Sequence, residues 1–115
     1  MIILVTGCAG FIGSHLCEKL LKDANITIIG LDNINDYYDI NQKIENLNIL
    51  KKYPNFIFEH QDVVNTNIIN EKKPDIVIHL AALAGVRNSI NNPTSYIRNN
   101  IEGHTNLIEQ SVKND

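Results

Sequence analysis

Thr6-Gly7-Cys8-Ala9-Gly10-Phe11-Ile12-Gly13 decides how the rest of the chain is read. The run before the first glycine, Ile2-Ile3-Leu4-Val5-Thr6, is short, apolar and rich in β-branched residues, as a strand buried on both faces should be. After it, Phe11 to Lys22 carries Phe11, Ile12, His15, Leu16 and Leu20 at helical spacing. The glycines therefore occupy a strand-to-helix turn, and each has a physical task there. Gly7 permits the tight turn off the strand, Gly10 lets the backbone approach a pyrophosphate, and Gly13 lets the helix pack closely on the sheet. The helix N-terminus offers N–H groups, those of Phe11 and Ile12 among them, and a partial positive charge to phosphates. A turn of the same shape that binds nothing is the plain alternative. The glycines' place between strand and helix favours the dinucleotide reading.

Working outward, Ile26 to Leu31 reads as a second strand. Asp32 to Asp39 is a polar, Asn-rich loop, and a helix then runs to about Lys52, where Tyr53-Pro54-Asn55 stops it. Phe56 to His60 is the third strand, Thr66 to Lys72 a short helix closed by Pro74, and Asp75 to His79 the fourth strand. Ala81 to Asn91 reads as a loop. Asn92 at N-cap and Pro93 at N1 open a last helix, whose apolar stripe is Ile97, Ile101, Thr105, Ile108 and Val112. Buried strands alternating with helices predict an α/β fold: a Rossmann-type parallel sheet with helices on both faces, ending after four strands.

Composition narrows the function. The 115 residues suit one small domain, and 43% hydrophobic with 20% charged residues is ordinary for a globular protein. A formal net charge of −3 argues against a nucleic-acid partner, which needs clustered Lys and Arg. The apolar N-terminal run lacks a preceding basic residue and is shorter than a signal core, and Ile76 to Val86 is too short to cross a bilayer. No targeting segment and no membrane partner are expected. Cys8 and Cys17 form no CxxC and have no histidine at ligand spacing, so neither a disulfide framework nor a metal site is expected. Two free thiols fit the reducing cytoplasm.

Asp32 ends the second strand roughly twenty residues beyond the glycines, where the fingerprint expects an acid that bonds the ribose hydroxyls. A carboxylate there would repel a 2′-phosphate, which favours NAD over NADP. Asp62-Val63 follows the third strand; Asp62 can accept from the adenine amino group while Val63 packs on the ring, or it can be a simple turn residue. Small residues in His79-Leu80-Ala81-Ala82 let a flat ligand approach the carboxyl end of the fourth strand. His79 itself reads as a buried histidine with a satisfied hydrogen bond.

Together these stretches, with Asn100-Ile101-Glu102-Gly103-His104-Thr105-Asn106-Leu107-Ile108-Glu109, resemble the extended short-chain dehydrogenase/reductase family, the NAD-dependent epimerases and dehydratases. Leu31 to Asp39 and Ala84-Gly85-Val86-Arg87 look most like the UDP-glucuronate 4-epimerases, with Leu83 standing where that subgroup tends to carry Gln. The resemblance implies that residues 1–115 are the N-terminal NAD-binding portion, with the catalytic strands and substrate domain absent. It implies that Asp32 and Asn33 hold the adenosine ribose and that Asp62 and Val63 contact adenine. Leu80, Ala81 and Ala82 would line the nicotinamide side, and Asn100 would support the site from the last helix. That helix would also be able to pair two subunits, though its stripe serves a core equally well. A nucleotide sugar is the implied substrate.

In that family a tyrosine removes the hydroxyl proton and a lysine four residues on holds the tyrosine's pKa down. Here Tyr37, Tyr38, Tyr53 and Tyr96 are followed four positions later by Asn41, Gln42, Ile57 and Asn100, so no catalytic pair is expected within the chain. Three readings remain: the cofactor portion of an epimerase, that of a sugar-nucleotide 4,6-dehydratase or decarboxylase, and a non-enzymatic NAD-binding module or degenerate gene product. Arg87 lies in the loop expected to face the sugar nucleotide, where its forked donors suit a phosphate or carboxylate; an exposed arginine without a ligand is the alternative. Removing its charge in a complete enzyme should raise the substrate KM, and steady-state kinetics showing an unchanged KM would reject the substrate role.

Overall fold

The computed structural model describes residues 1–37 and 39–115. Tyr38, weighed above for a lysine four positions on, lies outside the described residues. Four strands, β1 (Ile2–Thr6), β2 (Thr27–Asp32), β3 (Phe56–His60) and β4 (Ile76–His79), form a parallel sheet in the order β3-β2-β1-β4. The described helices are α1 (Phe11–Leu20), α2 (Ile40–Leu50), α3 (Ile68–Lys72), α4 (Val86–Asn91), α5 (Pro93–Ile97) and α6 (Gly103–Lys113), with a π-helical turn at Arg98–Glu102 between the last two.

β1 is hydrogen-bonded on both sides, Ile3 lying opposite Ile28 of β2 and Ile76 of β4. Its side chains alternate between two cores, as the period of a strand requires. Ile3 and Val5 pack with Cys17, Leu21, Leu47 and Leu50 on the side of α1 and α2. Leu4 faces the other way, onto Ile68, Ile69 and Leu107 of α3 and α6. β2 repeats the alternation: Ile28 joins the first core, Ile29 and Leu31 the second. Gly30 sits on the first face because a Cβ there would lie 2.7 Å from the Phe56 ring and 2.8 Å from Cys8 Sγ. Helices thus cover both faces, as the strand–helix alternation predicts.

Three expectations are corrected. In α1 the buried residues are Gly13, Ser14 and Cys17, whereas Phe11 is 79% and Ile12 67% exposed. The close approach at Gly13 turns the small residues onto the sheet and leaves the first-turn hydrophobics beside the cleft above it. The stretch read as a loop to Asn91 contains α4, and the last helix is broken by the π turn, so its expected stripe does not face the core. Ile97, Ile101, Ile108 and Val112 are all exposed, and α6 instead buries Gly103, Leu107 and Gln110.

Polar and steric anchors select that face. A Cβ at Gly103 would lie 2.6 Å from Val63 Cγ2. Asn106 Nδ2 donates to the carbonyls of Val63 and Thr66, both at 2.9 Å, and Gln110 Nε2 donates to Thr66 O at 2.8 Å. Buried carbonyls left without donors would be costly, so these bonds outrank the apolar stripe.

The glycines separate fold from ligand. A Cβ at Gly13 would overlap the Gly7 carbonyl, whereas at Gly10 the nearest atom, Gly7 O, is 3.3 Å away. Gly13→Ala should therefore lower the unfolding free energy by about 2 kcal/mol or more, on the scale of core overpacking. Gly10→Ala should cost less than about 1 kcal/mol. Denaturant unfolding of the two variants checks the order.

Candidate cofactor cleft

Above the carboxyl ends of β1, β2 and β4 lies a cleft of about 960 Å³. Among the expected site residues, Gly7, Gly10, Phe11, Ile12 and Gly13 line it from the turn before α1. Asp32 and Asn33 line it from the end of β2, Val63 from the loop after β3, and Leu80, Ala81 and Ala82 from the loop after β4. Asp62, Arg87 and Asn100 are not in its wall.

The floor is held by backbone contacts. Gly7 has φ +72° and donates its N–H to Leu31 O at 2.8 Å. A Cβ on Gly7 would lie 2.9 Å from Ala81 N, so the turn and the loop after β4 are in contact. Here glycine is required twice, by the left-handed backbone and by the neighbour. The amides of Phe11 and Ile12 open α1 and have no intrahelical partner, which leaves them for an anion in the cleft.

Asp32 is nearly enclosed, 7% exposed. Its Oδ2 accepts from Ala9 N at 3.0 Å and its Oδ1 from Ile34 N at 2.9 Å. The carboxylate thus ties the glycine turn to the loop after β2, and the tight turn it makes carries Ile34 at φ +52°, an uncommon conformation for a β-branched residue. A carboxylate offers about four lone-pair sites. Two are used by the backbone, and two remain for a pair of hydroxyls; none suits another anion.

Asn33 and Asp62 work together. Asn33 Nδ2 donates to Asp62 Oδ2 at 3.1 Å, and Asp62 Oδ1 accepts from Val64 N at 2.9 Å. Asp62 therefore makes the turn after β3 and pins Asn33. Val63 is buried and stands in the cleft wall beside it.

Thr6 was not singled out by the sequence, yet it organises the far end. Its Oγ1 accepts from Leu80 N and Ala81 N, both at 3.1 Å, and lies 2.6 Å from His79 Nδ1. Both lone pairs are occupied, so the hydroxyl proton goes to Nδ1 and the neutral imidazole carries its proton on Nε2. Burial, and then the neighbouring His104, push the His79 pKa down; the two rings stack 5.3 Å apart. His79 has the satisfied hydrogen bond expected from the sequence but is half-buried where a buried ring was expected.

Lys43 was also missed. It occupies the buried stripe of α2 with Leu47 and Leu50, and its Nζ donates to Asn35 O at 2.8 Å and Asn35 Oδ1 at 2.7 Å. Held by two oxygens and lining the cleft, it is a cation with a third donor. A lysine in register with an apolar stripe is the signal that would have found it.

Asn100 spends its carboxamide on one residue: Oδ1 accepts from Leu83 N at 2.9 Å and Nδ2 donates to Leu83 O at 2.8 Å. It positions the loop after β4 from the π turn. Arg87, the second residue of α4, is exposed. Cys8 and Cys17 are free and buried. Burial pushes the Cys8 thiol far up and the Cys17 thiol up to about 12, so both stay protonated and unreactive. Among the described residues no group of His, Cys, Asp and Glu could hold a metal ion, and no helix is long and apolar enough to cross a membrane.

A sequence profile described as GDP-mannose 4,6 dehydratase matches residues 4–114. A UDP-glucuronate 4-epimerase of Thermodesulfobacterium geofontis is 47% identical over 110 residues, 92% of this chain and 34% of that protein. The crystal structure of UDP-glucuronic acid 4-epimerase from Bacillus cereus, in complex with UDP-glucuronic acid and NAD, superposes with TM-score 0.89 at 39% identity, over 96% of this chain and 36% of that one. DesIV, the dTDP-glucose 4,6-dehydratase of Streptomyces venezuelae crystallised with NAD and TYD, gives TM-score 0.86 at 30% identity, over 99% of this chain and 36% of that one. The chain spans about a quarter to a third of the length of the curated relatives it matches. With the profile running over nearly every residue and the glycine turn, Asp32 and the β4 loop converging on one cleft, the chain belongs to the GDP-mannose 4,6 dehydratase family of NAD-dependent nucleotide-sugar epimerases and dehydratases.

Proposed function

We propose that the chain binds NAD in this cleft and is the N-terminal cofactor-binding portion of a nucleotide-sugar epimerase of the UDP-glucuronate 4-epimerase type. The observation that carries the reading is Asp32, fixed by two backbone amides beside the glycine turn with two acceptor sites left over. Those sites suit the two hydroxyls of an adenosine ribose and repel a 2′-phosphate. Phe11 and Ile12 give their amides to the pyrophosphate, Asn33 and Lys43 flank the ribose, and Val63 borders adenine, with Asp62 pinning Asn33 from behind the wall. Leu80, Ala81 and Ala82 lie along the nicotinamide, with Asn100 holding their loop in place.

NAD would take a hydride from C4 of the sugar and return it to the other face. This chain's part in that is to bind and orient the cofactor. No tyrosine has a lysine four residues on, so we assign no catalytic residue, and we expect no turnover from residues 1–115 alone. Arg87, exposed at the start of α4, would meet the phosphate or carboxylate of the sugar nucleotide. The exposed apolar residues of the last helices would pair two subunits, and two free thiols are compatible with a cytoplasmic protein. A 4,6-dehydratase portion is the second reading, favoured by the likeness to DesIV.

A calorimetric titration should give saturable NAD binding and at least about tenfold weaker NADP binding. Asp32→Ala and Lys43→Met should each weaken NAD by roughly tenfold, the scale of a hydrogen bond to a charged group. A folded chain that takes up no NAD would end the cofactor reading.

A further inference from the structure

The strand order places β1, and the glycine turn that follows it, between β2 and β4. The glycine turn thus stands between the loop after β2 and the loop after β4, and a contact that joins those two loops ties two walls of the cleft together. Tyr37 in the first loop and Ala84 in the second both line the cleft, and Tyr96 of α5 joins them. Its Oη lies 3.0 Å from Tyr37 Oη and 2.9 Å from Ala84 O. A carbonyl only accepts and a hydroxyl has one proton, so Tyr96 donates to Ala84 and accepts from Tyr37. The rings meet edge to face, 6.5 Å apart at 78°, an arrangement aromatic pairs prefer. Gly85 makes room for this: it has φ +98°, and a Cβ on it would overlap the Tyr37 hydroxyl.

We propose that Tyr37 and Tyr96 form a gate across the cleft, which must open for a dinucleotide to enter or leave. The inference rests on the NAD reading above and adds to it a control of exchange. The bridge joins protein to protein and needs no bond to the cofactor. Its loss therefore lowers one barrier that entry and exit share, and leaves the equilibrium between bound and free nearly where it was. A residue that touches the cofactor behaves differently, because its loss speeds exit alone. The hydroxyl bonds and the ring contact join surface loops and lie outside the two cores, so the gate can open with the sheet intact.

Stopped-flow fluorescence with NADH as the probe separates these cases. Association is read on mixing, and dissociation on chasing with excess NAD. Tyr96→Phe keeps the ring and removes the hydroxyl chain. It should raise both rate constants about fivefold, the scale of a neutral hydrogen bond, with Kd changing by less than about twofold. Gly85→Ala, which pushes Tyr37 away, should do the same, and it supplies the readout if a tyrosine variant fails to fold. Unchanged rates in a protein that binds NADH would overturn the gate alone. Faster dissociation with a matching rise in Kd would also overturn it, by making the hydroxyls cofactor contacts. No NADH binding by the unaltered protein would overturn the NAD reading and the gate with it.

Discussion

At the start of α1 a helix and a strand turn approach until no side chain fits between them: the Gly7 carbonyl occupies the space a Cβ on Gly13 would need. That contact sets the height of α1 over the sheet. It directs Ser14 and Cys17 inward and lifts Phe11 and Ile12 to the rim. It also brings the helix's first amides to the carboxyl end of β1, with the loop after β4 lying against Gly7. A larger residue at Gly13 would raise the helix, and one at Gly7 would push the loop after β4 away from the floor of the cleft.

Around that contact the polar groups divide their capacity between protein and ligand. Asp32 and Thr6 stand at the carboxyl ends of adjacent strands, β2 and β1. Thr6 is saturated, accepting two amides and donating to His79, so its work is architectural. Asp32 keeps half of its acceptor sites, so it is architectural and able to recognise a ligand. Asn100 resembles Thr6, with both ends of its amide on Leu83. A residue beside a ligand cleft can thus act one step back, by fixing the backbone that lines it.

Much of this was legible in the sequence. The alternation of short β-branched runs with helical stripes, and glycines at the one turn where strand meets helix, lead to the fold and the cleft. Asp32 follows from its place at the end of β2. The last helices were harder to read. Ile97, Ile101, Ile108 and Val112 form a regular stripe, and regular spacing is blind to which face finds a partner. The face was chosen by Gly103 against Val63 and by Gln110 and Asn106 on carbonyls of the loop after β3, contacts between residues some forty positions apart. α4 was hidden by its short, polar composition. Lys43 was hidden because a charged residue is by habit placed on the solvent side, though two oxygens of Asn35 make a buried ammonium acceptable.

The position of Cys8 has a practical meaning. Its thiol lies within the glycine turn, fully enclosed, with Gly30 leaving it room from the neighbouring strand. No reagent can reach that sulfur without the turn lifting from β2. The native chain thus carries its own chemical clock at the floor of the cleft: the pace at which an alkylating agent finds Cys8 records how often the floor comes apart.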